Sequence, residues 1–470
     1  MNTSHKIIKD LPSPKGQPIV GHLLQFNSEA KHTVLENWVK EVGDVFKINM
    51  LGKPFLVSAN PDINLEILKS RPDKFQRFFK INEILSEMGI IGVFNAEGEQ
   101  WKQHRELTAE ALNVKNVRSF FPTLQMMTER LYGRWEAFAK AEKTIDVQKE
   151  MVRYTVDITT AIAFGYDVNT LEKEGDVIQD HMEKIFPRIN SRITAPIATW
   201  RYFKSKKDKE LDIALKAIED LVQQFIDEAK TRLDGNPELQ ENPSNFLEAL
   251  LVEQKKNPEF TNQEVFGNVF TILLAGEDTT SNSISWTLFY LAQHPEVYQK
   301  VHEEAEQIFE GTKCATSHET VAELKYTEAV CMEAMRLKPV TPNLYMQAKE
   351  DVVIQDLAIP KGTTVMMQNK VGQTDEAHFT DADQFIPERW IANGCKHHTA
   401  HSPQMMRAFG AGPRFCPGRN LAIQEMKMAI SMICRNFDLE LAVKPEEVKE
   451  IFTFTMFPEG LVVKIRKTAN

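Results

Sequence analysis

The sequence predicts a mainly α-helical protein with a small β-rich subdomain, on three observations. Apolar residues recur at helical spacing over long stretches, most clearly Leu211, Leu215, Ile218, Leu221, Val222, Phe225 and Ile226 between Lys206 and Leu233. A second helical run, 262–293, would be on the order of 48 Å long, enough to cross a whole domain. Period-two alternation is confined to short segments near 44–60, 352–368 and 437–466. Of the 470 residues, 42% are hydrophobic and 26% charged, so the chain can bury a large core. With no internal repeat, and only Asp234–Asn245 resembling a linker, it reads as a single domain, 1–470. A net charge of −10 argues against nucleic acid as a partner. Five cysteines without paired spacing argue against a disulfide framework and for a reducing compartment.

In chain order, Met1–Asp10 is polar and lacks the apolar run of a signal peptide or membrane span. Leu11–Gly21 is an extended, proline-punctuated lead-in. A helix over Thr33–Val42 precedes strands Val45–Met50 and Phe55–Ser58, joined as a hairpin around Leu51-Gly52-Lys53-Pro54. Residues 77–96 are too apolar for a solvent loop and show no clean period. Trp101 and Arg105 then stand one helical turn apart on one face, where an indole N–H and a guanidinium suit an anionic carboxylate. Val117 to Lys230 is mostly helical, interrupted over 185–203 by Pro187 and Pro196. Within 262–293, Ala275-Gly276-Glu277-Asp278-Thr279-Thr280 interrupts an apolar run. An unpaired buried polar group costs about 1–3 kcal/mol, so an acid and an alcohol retained there point to a use. The competing reading is an N-cap at Thr279 that starts a new helix. Glu333 and Arg336 share one face of a further helix, and Pro387-Glu388-Arg389-Trp390 follows. Strands at Val352–Ile354 and Thr364–Gln368 flank a turn at Ile359–Gly362. Phe437–Ala442, Phe452–Met456 and Leu461–Ile465 form a terminal strand set.

Before that set lies Phe409-Gly410-Ala411-Gly412-Pro413-Arg414-Phe415-Cys416-Pro417-Gly418, whose glycines and prolines exclude regular structure. Such a loop can direct amide donors at one atom, here the sulfur of Cys416. Arg414 stands just before it, and a helix over Arg419–Cys434 begins just after. A cation and a helix N-terminus both stabilise the thiolate, the form that ligates metal. A lone cysteine is most often a buried structural thiol, the reading given to Cys314, Cys331, Cys395 and Cys434. A thiolate held as at Cys416 is the axial ligand of one class of haem enzymes. The pattern Phe-Gly-x-Gly-x-Arg-x-Cys-x-Gly resembles the haem-binding loop of the cytochrome P450 family, and the resemblance extends across nearly the whole chain.

The resemblance implies a haem b monooxygenase that inserts one atom of O2 into a lipophilic substrate by hydroxylation or epoxidation. Cys416 would bind the iron, while Trp101, Arg105 and Arg414 would seat the propionates. Phe409, Gly418, Ala275 and Gly276 would lie along the cofactor, Gly276 leaving room for oxygen. Splitting dioxygen needs two protons, through a positioned hydroxyl and a relayed acid. The family's acid–alcohol motif assigns these roles to Thr279 and Asp278. Glu333, Arg336 and Arg389 would form a buried structural ion network. Phe78, Phe79, Leu85, Ile91, Thr341, Leu344 and Phe454 would line a pocket for a fatty acid, terpene or steroid, with 77–96 as roof and 185–203 as lid. Lys53 is either a solubilising charge or a contact for a substrate carboxylate. Tyr345-Met346-Gln347 stands where many relatives carry a second propionate-binding arginine. Electrons would come from a separate ferredoxin or flavodoxin with its NAD(P)H reductase, docking near Lys102, Arg105, Lys115 and Arg419. The polar N-terminus, beside relatives that begin with a membrane span, suggests a soluble, bacterial-type member without a transmembrane anchor, and the chain is expected to be cytoplasmic and monomeric. Two other readings remain: a peroxide-driven peroxygenase, against which Asp278-Thr279 argues, and a non-catalytic haem sensor, which leaves that polar break unexplained.

Overall fold

The computed structural model describes residues 5–26, 30–173, 177–195, 197–391 and 401–468; Pro196 of the expected lid and Cys395 lie outside them. The chain forms two compact units. One comprises Met1–Phe79, Ala329–Cys416 and Lys449–Glu459; the other comprises Lys80–Glu328, Pro417–Val448 and Gly460–Asn470.

The first unit holds most of the β-structure. Its largest sheet orders Val45–Met50, Lys53–Ser58, Thr364–Gln368, Asn343–Ala348 and Phe75–Arg77 from edge to edge. The first two strands form the expected hairpin, with Met50 opposite Lys53. Its turn holds Leu51 and Gly52 at φ 52° and 80°, the left-handed pair that suits a two-residue hairpin. Thr364–Gln368 is buried along its whole length. Val365 and Met367 join a cluster with Leu56, Ile67 and Phe75, while Met366 joins Leu35, Phe46 and Val57 on the opposite face. Strand alternation therefore gives this central strand two cores. A smaller sheet orders Lys6–Ile7, Leu357–Ile359 and Val352–Ile354.

The second unit is built on helices. Asn262–Leu291 starts at a capping box, in which Thr261 and Glu264 each bond the other's backbone N–H. It packs along Val147–Phe164 and against Arg419–Asn436, both nearly buried throughout. Helices buried on nearly all sides belong in a core, and these three form one, with polar side chains such as Asp157, Asn282 and Glu425 enclosed among the apolar ones. Phe437–Leu441, Val462–Lys467 and Thr144–Asp146 make an antiparallel sheet in this unit.

Several expectations need correction. Phe452–Met456 is not one strand: Lys449–Phe452 and Met456–Glu459 pair as a hairpin, and the turn falls within the expected strand. Pro187 does not interrupt its helix, which runs through it from Val177 to Thr194. Residues 77–96 contain a helix, Phe79–Glu87, and the linker-like stretch contains another, Pro237–Glu241. Thr279 starts no new helix, because Asn262–Leu291 is continuous through the polar break.

Candidate active site

The Cys416 loop is held in shape by its own backbone and by the first unit's core. The Cys416 N–H donates to Phe409 O at 2.9 Å, and Gly410 N–H to Arg407 O at 2.9 Å. Gly410 and Gly412 take φ of 73° and 70°. A Cβ on Gly412 would come within 2.5 Å of Leu68 O, so any side chain there would push the loop off the helix Pro61–Lys69. Arg407 fastens the other side by donating to Pro61 O at 2.7 Å. Cys416 is half-buried, whereas Cys314, Cys331 and Cys434 are buried. Burial pushes the Cys314 thiol up to about 12, which leaves it inert as a nucleophile or ligand.

The polar break of the central helix is a window in a buried element. Residues 275–279 are half-buried, while Leu273, Leu274 and Thr280–Ser285 are buried. The Thr279 hydroxyl donates to Ala275 O at 2.6 Å, as a threonine in a helix can. From the neighbouring helix, Thr155 Oγ1 donates to Glu277 O at 3.0 Å. A Cβ on Gly276 would lie 2.5 Å from Thr159 Cγ2, so glycine is required for the close approach of the two helices. Burial pushes the Asp278 carboxyl up to about 6, within reach of either protonation state near neutral pH.

Trp101 and Arg105 lie on the helix Gly98–Ala111, Trp101 buried and Arg105 half-buried. Between them sits His104, unremarked by the sequence reading, whose Nε2 is 3.3 Å from Glu264 Oε1. Its Nδ1 meets Asn268 Nδ2 at 2.9 Å, and Val93 N–H donates to Asn268 Oδ1 at 2.9 Å. This network ties the segment after Ile91 to the central helix.

The structure brings Glu333, Arg336 and Arg389 together with no solvent exposure of their side chains. Glu333 accepts from Arg336 at 2.7 and 2.8 Å, from Arg389 at 2.9 Å and from Ile386 N–H at 3.0 Å. Trp390 Nε1–H donates to it at 2.9 Å, a fourth member that the spacing did not single out. The remaining arginine donors reach the carbonyls of Gln373, Ala382, Gln384, Thr380 and Asp381. Such complete pairing is what makes buried charge tolerable.

The expected pocket residues fall on several elements. Leu85 is buried, Ile91, Thr341, Leu344, Phe454 and Phe78 are half-buried, and Phe79 is 43% exposed. Phe78 and Phe79 meet edge to face at 5.0 Å. Lys53 is exposed. Gln347, at the position of the missing arginine, is engaged in its sheet by Gln76 at 3.1 Å and Gly362 O at 3.1 Å.

Among the described residues, no three His, Cys, Asp or Glu side chains gather to hold a metal ion. A bare ion normally requires three or four protein ligands. A single half-buried cysteine in a fixed loop fits a different arrangement, in which a macrocycle would supply the other donors. Among the described residues, no helix is long and apolar enough to cross a membrane.

Comparison with known proteins gives the same assignment. The family model described as cytochrome P450 matches residues 11–465. Cytochrome P450 94A1 of Vicia sativa is 27% identical over 97% of this chain and 90% of its own length. Cytochrome P450 3A11 of Mus musculus is 24% identical over 93% of this chain and 87% of its own. A self-sufficient cytochrome P450 monooxygenase of Phanerodontia chrysosporium is 25% identical over 96% of this chain but only 42% of its own length. A half-buried cysteine in a glycine-pinned loop, a half-buried acid–alcohol window and a match over nearly all residues lead to one assignment: the chain belongs to the cytochrome P450 family, whose members are haem b monooxygenases.

Proposed function

We propose that this enzyme oxidises a lipophilic small molecule with electrons from a separate ferredoxin or flavodoxin, and that Asp278 and Thr279 govern its proton supply. The observation that carries the reading is Asp278, a carboxyl raised to about 6 by burial, next to a helix hydroxyl in the only half-buried stretch of 273–285. An acid with this affinity can take a proton from solvent and release it again at neutral pH. Bound through Cys416, haem supplies the oxygen-activating iron. Trp101, Arg105 and Arg414 offer one indole and two guanidinium donor groups for its propionates. Thr279 holds a hydroxyl proton at Oγ1 and exchanges its Ala275 bond for a reacting partner. Apolar Leu85, Ile91, Leu344 and Phe454 favour a substrate such as a fatty acid, terpene or steroid. Lys102, which pairs with Glu99 at 2.6 Å, and Lys115, which donates to Glu241 O at 2.8 Å, would join Arg105 and Arg419 in docking an acidic partner.

The test begins with the reduced carbon monoxide spectrum of haem-loaded protein, expected to be of the thiolate type and lost in Cys416→Ser. Thr279→Ala and Asp278→Asn are then expected to keep that spectrum while forming less product per NAD(P)H consumed. Unchanged coupling in both variants would overturn the proton assignment. A library of lipophilic compounds, scored by spin-state shift of the haem spectrum, identifies the substrate class.

A further inference from the structure

We propose that Glu450 is a positioning residue that sets substrate selectivity, by fixing the hairpin that carries Phe454 to the connector that carries Thr341 and Leu344. The proposal rests on the reading above that these three residues line the substrate pocket.

Glu450 lies on the strand Lys449–Phe452, the first arm of the hairpin. Its Oε2 is 2.7 Å from Nε2 of His32, a side chain with no solvent exposure. Its Oε1 accepts from Lys338. Lys370 Nζ lies 3.5 Å from Glu450 and 3.2 Å from Glu36. Two carboxylates thus face two ammonium groups, each side chain about four-fifths buried or more, so the cluster balances its own charge. Burial alone would raise the Glu450 carboxyl. The His32 hydrogen bond and the charges of Lys370 and Lys338 outweigh it and hold that carboxyl far below the usual range.

An exposed pair of this kind would contribute almost nothing, but this one is withdrawn from water and shared among separate stretches of chain. Lys338 directly precedes the connector Pro339–Pro342, and Met456 N–H donates to Val340 O at 2.8 Å. Hairpin and connector are therefore joined twice, once through backbone and once through charge. On the other side, His32 directly and Glu36 through Lys370 anchor Glu450 to the helix Lys31–Val42, and the His32 ring meets Phe452 edge-on at 5.7 Å. The turn carrying Phe454 can move only if these links yield. Glu450 itself brings no reactive group to the pocket; its effect passes through Phe454.

The test uses the haem-loaded full chain and two iron-binding probes, imidazole and 4-phenylimidazole, titrated by the shift of the haem absorption. Imidazole is small enough to ignore the pocket wall. In Glu450→Gln its affinity is expected to stay within about twofold, while that for 4-phenylimidazole falls about tenfold, equivalent to about 1.4 kcal/mol. Hydrogen exchange at the Met456 amide is expected to quicken about tenfold, an independent readout of the hairpin. Lys338→Met leaves Glu450 paired with His32 and Lys370, should give the same pattern more weakly, and carries the test if Glu450→Gln does not fold. Equal weakening of both probes, or faster exchange with an unchanged probe ratio, would overturn the selectivity role. Unchanged exchange would overturn the anchoring role. A wild-type reduced carbon monoxide spectrum lacking the thiolate signature would instead overturn the functional reading beneath the proposal.

Discussion

Glu333 in the first unit and Asp278 in the second are both carboxyls withdrawn from water, and they are treated in opposite ways. Glu333 is met by two arginines, an indole and a backbone amide, at 2.7 to 3.0 Å. Asp278 has burial as the cause of its shift and sits at about 6. The first arrangement surrounds the carboxyl with donors and ties several stretches of chain to it. The second leaves a carboxyl whose charge is disfavoured, so that it holds its proton up to about pH 6 and costs stability above it. Glu425, on Arg419–Asn436, extends the second class: it is buried and pushed up to about 8.

The contrast can be broken experimentally, starting with the largest effect. Glu333→Ala should destabilise the protein by about 3–5 kcal/mol in denaturant unfolding, because it strands Arg336 and Arg389 in the interior. A loss under about 1 kcal/mol would remove the distinction between the two acids. Asp278→Asn should leave the fold intact while slowing turnover by about 100-fold, the low end for a lost acid–base group. Gly276→Ala should cost about 1–3 kcal/mol and disturb coupling, since the added methyl group meets Thr159.

Stability against pH sharpens the comparison further. The Asp278 carboxyl binds its proton more tightly in the folded chain than in the unfolded one, where 3.8 is normal. Its contribution is therefore complete below about pH 4 and disappears as pH rises through about 6. For Glu425 the corresponding fall runs from about 4.5 to about 8. Thermal melts of Asp278→Asn and Glu425→Gln should lose these slopes, so each variant gains on wild type at pH 9. The smallest expected effect is Thr155→Val, about 1 kcal/mol for one hydrogen bond to Glu277 O.

Much of this architecture was legible in the residues, for identifiable reasons. The central helix announces itself through apolar periodicity, and the capping box at Thr261 fixes its start. The Cys416 loop is legible because glycine and proline leave the backbone few alternatives. Glu333, Arg336 and Arg389 were legible as members of a known pattern, but Trp390 as a partner was not, since nothing local demands it. The hairpin at 449–459 was misread because Phe452-Thr453-Phe454-Thr455-Met456 keeps a strand's alternation through the turn. That turn has no glycine, proline or asparagine. It is fixed by Thr453 N–H to Thr455 O at 3.1 Å and by the bond from Met456 to Val340. Glu450 was invisible for the same reason: its partners, His32, Lys338 and Lys370, come together only in three dimensions.

The fully buried strand Thr364–Gln368 lies between Lys53–Ser58, parallel to it, and Asn343–Ala348, antiparallel. During synthesis on the ribosome, the early hairpin must therefore wait, its inner edge unmatched, until most of the polypeptide has emerged. Pairings between such distant stretches close slowly and leave sticky edges exposed meanwhile. Low growth temperature and chaperone supply should accordingly improve the yield of soluble recombinant protein more than any change at the catalytic end.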